Sequence, residues 1–318
     1  MDPLRIVQVL VLALLQGATE LFPVSSLGHT VIIPGLVGWG DLLRQDTFLP
    51  IVVTLHLGTS VALILFYWRD WVKLIGGGVR VVAAGKFTPD VDPEGYGRQL
   101  ALVVVGTIPA GLLGVFLQKP LEKLFGQPIL ASAFLVANGA VLLTAERLWR
   151  DRVKRAAQQR HLRIDEETIP RAMVAAQPKT GEIGVSINQM TFTQALLVGT
   201  SQALALLPGI SRSGSTMVGG LLSGLSHEAS ARFSFLLATP IILAAGLVEV
   251  PKLFGQGNGI LELALVGGVL SGVVAFFSVR FLTKYFENRR LEPFAYYCIG
   301  AGLLAFTYFL IQYLRGGN

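Results

Sequence analysis

The chain has 318 residues, of which 52% are apolar and only 14% are charged, and its formal net charge at pH 7 is +6. Soluble globular domains average about 25% charged residues, so the composition excludes an ordinary soluble domain and indicates an all-α polytopic membrane protein. In this class, surplus lysine and arginine indicate cytoplasmic loops, and we expect no nucleic-acid partner. The single cysteine, Cys298, excludes an intrachain disulfide.

The first apolar segment, residues 4–37, is interrupted near its middle by Pro23 and a serine–glycine cluster. Each half is shorter than the roughly 20 residues that a membrane-crossing helix needs. We therefore predict a re-entrant helical hairpin, because irregular backbone at membrane depth must be buried in protein or line a wet cavity. No small-residue cleavage site follows the apolar stretch, so we expect the segment to be retained.

Three apolar runs long enough to span a bilayer come next, at residues 48–67, 99–118 and 130–149. Residues 150–192 are polar, and we predict a solvated, partly disordered cytoplasmic connector there. Contact of its basic residues with anionic lipid headgroups is the alternative. The charged cluster consists of Arg150, Arg152, Lys154, Arg155, Arg160 and Arg163, followed by Asp165, Glu166 and Glu167.

The second half repeats this order. An apolar segment at residues 193–226 is broken by Pro208-Gly209, which predicts a second re-entrant hairpin. Three further spans are predicted at residues 233–250, 260–282 and 294–314.

The two halves also match residue by residue. Gln16 and Ser25 align with Gln202 and Ser211 at one constant offset. We predict an inverted repeat of one hairpin plus three spans, with residues 1–149 as the first unit and residues 193–318 as the second. An odd number of spans inverts the second unit, so the hairpins enter from opposite faces and meet near the midplane.

Charge predicts the orientation. The loops on one face carry 17 lysine and arginine residues and the other face carries 6. The positive-inside rule therefore places the basic loops in the cytoplasm and both termini outside, with the first hairpin opening outward. The basic loops are residues 68–98, 150–192, 227–232 and 283–292.

The hairpin bends carry the residues of an anion site. Ser25 or Ser26 can cap the helix after Pro23, and Ser211 can cap the helix after Pro208-Gly209. Free N–H groups at helix N-termini attract phosphate, and Arg212 adds a guanidinium whose fork suits it. Tight turns or close backbone approach are permitted at Gly28, Gly209 and Gly214. A phosphate or carboxylate ligand is predicted.

Hydrolysis needs an attacking group as well. Ser26 is a candidate nucleophile if His29, one helical turn later, or Glu20 accepts its proton. Glu20 can instead orient His29, bind a divalent cation or act as the base. Thr216 lies one turn after Arg212, and its hydroxyl can bind a phosphate oxygen.

Structural explanations compete with these roles. Glu20 and Arg212 are costly to bury without a partner, and an ion pair between them is the main alternative to catalysis. The hydroxyls of Thr19, Ser213 and Ser215 can bond their own backbone, Gln16 and Gln202 can bond between helices, and we interpret His56 and His227 as interfacial.

Gln16-x-x-x-Glu20 followed by Pro23-Val24-Ser25-Ser26-x-Gly28-His29 resembles the (E/Q)xxxE and PVSSxGH region of bacterial undecaprenyl-diphosphate phosphatases of the bacitracin-resistance type. Pro208-Gly209-x-Ser211-Arg212-Ser213-x-x-Thr216 resembles the PGxSRSxxT motif of that family. The resemblance implies removal of the terminal phosphate from undecaprenyl diphosphate in the bacterial inner membrane. The product is the monophosphate carrier lipid of peptidoglycan synthesis.

The resemblance assigns Glu20, Ser26, His29 and Arg212 to catalysis. The candidate substrate-binding residues are Gln16, Ser25, Gly28, Gly209, Ser211, Ser213 and Thr216. It also implies a divalent cation, Mg²⁺ or Ca²⁺, with Glu20 as a ligand. Gln16 stands where many members have glutamate, so no carboxylate pair can be invoked for the metal. A homodimer is left open.

The rival hypothesis is a secondary transporter, because inverted repeats with broken helices at the midplane are a transporter architecture. Arg212 would then bind an anionic solute without chemistry. A lipid flippase combines both readings.

Overall fold

The structure is a computed structural model that describes residues 3–122, 124, 126–166, 184–256 and 259–316. Over these residues the chain forms twelve α-helices. They are α1 (Pro3–Thr19), α2 (Ser26–Leu36), α3 (Gly40–Leu43), α4 (Phe48–Phe66), α5 (Trp68–Ala84), α6 (Tyr96–Glu122), α7 (Pro128–Glu166), α8 (Phe192–Gln202), α9 (Arg212–Leu222), α10 (His227–Glu249), α11 (Ile260–Phe286) and α12 (Glu292–Leu314).

Six of the described helices are long and apolar enough to cross a membrane. They are α4, α6, α7, α10 with its short continuation to Leu253, α11 and α12. The all-helical fold class with six spans predicted from the apolar runs is therefore confirmed.

The basic segments contain more helix than predicted. The prediction of a loop over residues 68–98 is wrong for Trp68–Ala84, which forms α5 against α6. One face of α5 exposes an apolar stripe of Val72, Ile75, Val79 and Val82. An amphipathic helix of this kind is typical of a membrane interface.

The charged cluster after residue 149 is also helical in part, since α7 continues to Glu166. Alanine, arginine, lysine and glutamine dominate this stretch and are good helix formers. Within the predicted connector, residues 167–183, Glu167 included, lie outside the described residues, so the predicted disorder is not tested there.

Each motif segment forms two short helices joined by a bend. In the first, α1 of 17 residues and α2 of 11 residues are joined by residues 20–25. In the second, α8 and α9 have 11 residues each and are joined by residues 203–211. How deep these bends lie in the membrane stays a prediction.

The two halves of the chain interlock. The first short helix of each half packs on a long helix of the other half, α1 on α11 and α8 on α6. Likewise α4 packs against α10 and α11, and α7 packs against α12. A Cβ atom on Gly58 of α4 would lie 1.8 Å from the carbonyl oxygen of Gly268 on α11, so only glycine permits this crossing. The repeat boundaries themselves stay a prediction.

Candidate active site

The two bends touch each other inside the protein. A Cβ atom on Gly28 would lie 3.0 Å from the Cα atom of Gly209, so the backbones are in close contact. Gly209 also has a φ of +106°, which favours glycine. Ser25 Oγ donates to the carbonyl oxygen of Ile210 at 3.2 Å, and Ser213 Oγ donates to that of Phe22 at 2.9 Å. The predicted motifs therefore form one composite structure.

A side chain of α7 ties the bends together. Asn138 Nδ2 donates to the carbonyl oxygen of Pro23 at 3.0 Å, and Asn138 Oδ1 accepts from the backbone N–H of Ser211 at 3.0 Å. The sequence reasoning missed this residue. Its signal was an amide within the predicted span 130–149, where a polar group needs a partner.

Both bends end in a capped helix. Ser25 Oγ accepts from the N–H of Gly28 at 3.1 Å, and Ser211 Oγ accepts from the N–H of Gly214 at 3.0 Å. Ser25, rather than Ser26, is thus the cap of α2. Its φ of +66° is the only positive value at a non-glycine residue in the described part of the chain. Such backbone strain costs about 1–3 kcal/mol and persists only where the surroundings hold it, as the bond to Ile210 does here.

The carboxylate of Glu20 contacts four other side chains of the site. It is 4% exposed. Oε1 accepts from Arg212 Nη2 at 2.9 Å and from Nε at 3.3 Å. Oε2 lies 2.5 Å from the hydroxyl of Ser26, 3.0 Å from Nε2 of Gln16 and 3.1 Å from Nε2 of His56. The ion pair between Glu20 and Arg212 therefore exists, and it sits against the candidate nucleophile.

His56 also faces this carboxylate. Its Nδ1 lies 2.7 Å from the carbonyl oxygen of Val52, which only accepts, so Nδ1 carries a hydrogen. Its Nε2 lies 3.1 Å from Glu20 Oε2, and that contact is a hydrogen bond only if Nε2 or the carboxyl group carries a proton. The interpretation of His56 as merely interfacial is wrong, since it is a partner of Glu20 from α4.

His227 is also more than interfacial. Its Nε2 lies 2.7 Å from the buried carboxylate of Glu146 on α7.

His29 faces away from Ser26 towards another helix. Its Nδ1 lies 2.7 Å from the carbonyl oxygen of Ser25, and its Nε2 lies 2.7 Å from the hydroxyl of Tyr297 on α12. Because Nδ1 must donate to the carbonyl, neither ring nitrogen is free to take the Ser26 proton. His29 therefore lies outside the cavity lining and contacts α12 instead.

Arg212 keeps donors for a ligand. Three of its five N–H groups are bonded, two to Glu20 and one to the carbonyl oxygen of Ser234 at 3.3 Å. Thr216 lies behind it and is fully buried. The Thr216 hydroxyl contacts the carbonyl oxygens of Arg212 and Ser213 and the hydroxyl of Ser234, so it supports α9 rather than facing open space.

A cavity of about 330 Å³ opens above these groups. Of the predicted site residues, Glu20, Ser25, Ser26, Ser211 and Arg212 line it, and His56 joins them. The remaining candidates lie outside the lining: Gln16, Gly28, His29, Gly209, Ser213 and Thr216. The walls come from α4, α6, α10 and the bend before α9 and are mainly apolar, with Gln202 and Glu249 as the polar exceptions. The cavity thus combines a charged floor with a hydrocarbon-like wall.

Gln202 is a further polar residue of this lining. It is 3% exposed, and neither its Nε2 nor its Oε1 has a hydrogen-bond partner within the described residues. Leaving such a group unpaired costs about 1–3 kcal/mol. The sequence reasoning explained Gln202 as a bond between helices, which the structure does not show.

The residues present do not fit a resident divalent cation at Glu20. Mg²⁺ and Ca²⁺ prefer six or more oxygen ligands. Both oxygens of Glu20 already accept hydrogen bonds, and a guanidinium lies beside them. Among the residues that the structure describes, no group of three or more histidine, cysteine, aspartate or glutamate side chains could hold a metal. The cation requirement stays a prediction, and no chemical step is assigned to it.

Comparison with known proteins identifies the relatives of this chain. A family model described as "Bacitracin resistance protein BacA" matches residues 9–304. A curated protein of Acidiphilium cryptum (strain JF-5), "Undecaprenyl-diphosphatase", is 45% identical over 301 residues, 92% of this chain and 94% of the relative. One of the same name from Mycolicibacterium paratuberculosis (strain ATCC BAA-968 / K-10) is 45% identical over 94% of this chain and 95% of the relative. "Undecaprenyl-diphosphatase 2" of Chromobacterium violaceum is 42% identical over 96% of this chain and 99% of the relative.

Proposed function

The chain belongs to the bacitracin resistance protein BacA family, and we propose that it is a membrane phosphatase that hydrolyses undecaprenyl diphosphate to undecaprenyl phosphate and inorganic phosphate. This reaction recycles the carrier lipid of peptidoglycan synthesis and confers bacitracin resistance. The observation that carries the proposal is the meeting of Glu20, Ser26 and Arg212 on the floor of one cavity with apolar walls.

The site offers several donors to a diphosphate. Arg212 has two uncommitted N–H groups among its described contacts, and a phosphate can accept both in the planar fork geometry. Helices α2 and α9 begin at Ser26 and Arg212, so the first N–H groups of both helices lie at the cavity floor. Helix N-termini stabilise phosphate without further charged side chains.

Ser26 is poised to attack. Its hydroxyl donates to Glu20 Oε2 at 2.5 Å, so the carboxylate can take the proton as Oγ approaches the terminal phosphorus. A bond forms between Oγ and phosphorus, the bond from phosphorus to the bridging oxygen breaks, and undecaprenyl phosphate leaves. Arg212 stabilises the charge that builds on the phosphoryl oxygens.

Water completes the cycle. The proton that Glu20 took from Ser26 first passes to the leaving undecaprenyl phosphate, so the carboxylate is free again. Water then attacks the phosphoserine and gives one proton to Glu20, and the bond between Oγ and phosphorus breaks to release inorganic phosphate. The proton held by Glu20 then returns to Ser26 Oγ. His56 Nε2 lies 3.1 Å from the same carboxylate oxygen and can accept or return a proton during each transfer. Direct attack by water on the diphosphate, with Glu20 as base, gives the same products.

His29 acts as a positioning residue in this scheme. It accepts no proton from Ser26, and its ring ties the carbonyl of the strained Ser25 to Tyr297 of α12. That tie holds the bend from which Ser26 emerges.

The test is phosphate release by the pure protein in detergent, where no gradient exists. We expect release from undecaprenyl diphosphate, and acid-quenched enzyme should carry a phosphoryl group on Ser26. The matched control is Ser132→Ala on α7, which removes a buried hydroxyl that bonds only its own helix at Pro128. Absence of release from any lipid diphosphate with any divalent ion would reject the phosphatase. Full turnover by Ser26→Ala would reject the covalent route and leave direct attack by water.

The transport alternative has no support among the relatives, since those named above all carry diphosphatase names. A carboxylate bonded to a serine hydroxyl is also not required for anion binding alone, whereas it suits nucleophilic attack.

We further propose that both termini lie outside and that the cavity opens outward. Leu49 and Glu249 line the cavity at the ends of α4 and α10 that adjoin the loops with few basic residues. A cysteine at Gln256 should react with a membrane-impermeant maleimide in whole cells, and a cysteine at Arg289 should not. The reverse pattern would invert the topology. The homodimer stays a prediction.

A further inference from the structure

A second cavity, of about 460 Å³, follows one face of α6. Its described lining contains no charged side chain. The hydroxyl of Thr107 is satisfied by the carbonyl oxygen of Val103 in its own helix, at 2.8 Å. The lining residues are Trp71, Leu100, Val103, Val104, Thr107, Ile108, Gly111, Leu112, Val115 and Pro240, and we call this cavity the α6 groove.

The α6 groove adjoins the cavity that holds Glu20 and Arg212. Gly111 and Val115 line both. A Cβ atom on Gly111 would meet only Ile241 Cδ1, at 3.7 Å, so little protein fills the space beside this shared residue. From the junction the groove follows α6 away from the charged floor and ends beside Trp71 of α5.

The length and openness of the groove suit a long hydrocarbon chain. Leu100 and Val115 are separated by about 22 Å along the helix axis at 1.5 Å per residue. This is a large part of the roughly 30 Å hydrocarbon thickness of a bilayer. Val104 and Ile108 on its surface are 53% and 48% exposed, so a chain can enter sideways from the lipid.

We propose that the α6 groove holds the polyisoprenyl tail of the substrate while the diphosphate lies on the floor formed by Glu20, Ser26 and Arg212. The inference rests on the proposed function. The shared lining residues favour this occupant, because an apolar chain that leaves the charged floor past Gly111 enters the α6 groove. The groove therefore recognises tail length, and bilayer lipid fills it only when no substrate is bound.

Hydrophobic burial adds little to the binding free energy of the tail, since a tail in lipid or detergent is already in an apolar medium. The favourable contribution comes from close packing of the tail against the groove. A bulky residue in the groove should therefore act by excluding the tail. A tail of eleven isoprene units must pass along the groove, whereas a tail of three units occupies only its beginning.

The experiment compares phosphate release from undecaprenyl and farnesyl diphosphates by detergent-purified protein carrying Thr107→Trp. We expect the ratio of kcat/KM for the long substrate to that for the short one to fall at least fivefold. Val104→Trp, farther along the groove, should lower the same ratio, and it serves as the second variant if Thr107→Trp does not fold.

The matched control is Thr144→Trp on α7. Thr144 is exposed and bonds the carbonyl oxygen of Ala140 in its own helix, as Thr107 bonds Val103, but it lines neither cavity. It should keep the native ratio. A native ratio in both groove variants would overturn the proposal and leave bilayer lipid as the occupant. A native protein that hydrolyses neither substrate would instead overturn the phosphatase function.

Discussion

Asn138 provides the sharpest test of how the site is held together. It bonds the carbonyl oxygen of Pro23 in one bend and the N–H of Ser211 in the other, both at 3.0 Å. In Asn138→Ala both groups lose this partner inside the protein, since Asn138, Pro23 and Ser211 are all buried.

The size of the effect follows from those two groups. An unpaired buried donor or acceptor costs about 1–3 kcal/mol, so the two together cost about 2–6 kcal/mol. Cys298 Sγ lies 3.8 Å from the same carbonyl oxygen, and a water molecule can enter the space that the amide leaves. Both effects reduce the cost, so we expect the free energy of unfolding to fall by about 2–4 kcal/mol, the lower half of this range.

The assay is unfolding of the detergent-solubilised protein by SDS, followed by tryptophan fluorescence, with phosphate release measured in parallel. Because the variant lets the bends separate, Arg212 should lose its register with Glu20, and kcat should fall about tenfold or more. Ser132→Ala on the same helix is the control, and its loss should stay below about 1 kcal/mol because its hydroxyl bonds only Pro128.

Equal stability of Asn138→Ala and Ser132→Ala, together with native turnover in both, would refute the reasoning. The remaining contacts would then be sufficient to hold the two bends together: the hydrogen bonds of Ser25 to Ile210 and of Ser213 to Phe22, and the packing of Gly28 on Gly209.

The other predictions concern single side chains of the cavity. Glu20→Gln keeps the shape but removes the base, so kcat should fall about 10²–10⁴-fold without a matching rise in KM. In Ser26→Ala, kcat should fall by about 10³-fold or more, and no phosphoryl group should be trapped on the enzyme. Native turnover would point to water as the nucleophile. His56→Gln preserves a hydrogen bond to Glu20 but holds no extra proton, so kcat should fall about tenfold and the pH–rate profile should change shape, which a purely structural role would not cause. Gln202→Ala should raise KM about tenfold with little change in kcat, because its unpaired amide is free to bind substrate; an unchanged KM would contradict this.

Local signals in the sequence were sufficient for the spans and for part of the site. Long apolar runs predict helices in a membrane whatever their neighbours, because every backbone group must be bonded within the segment. Glu20 and Arg212 were recognisable for a related reason, since a charge in an apolar segment needs a partner wherever that partner lies. α5 was missed because its alternation of charged and apolar residues lowers the mean hydropathy, which conceals an amphipathic helix from a search for spans.

The partners of these residues were decided by tertiary structure. His29 and Ser26 share a helical face by spacing, yet His29 turns to Tyr297, which is 268 residues away. His56 reaches Glu20 because α4 packs beside α1, and Asn138 joins two bends that lie far from it in the chain. Such contacts depend on which helix packs against which, and local sequence patterns contain no information about that packing. The sequence therefore determined which segments enter the membrane and which buried charges need partners, while only the packing of the helices decided that Glu20 lies between a serine, a histidine and an arginine.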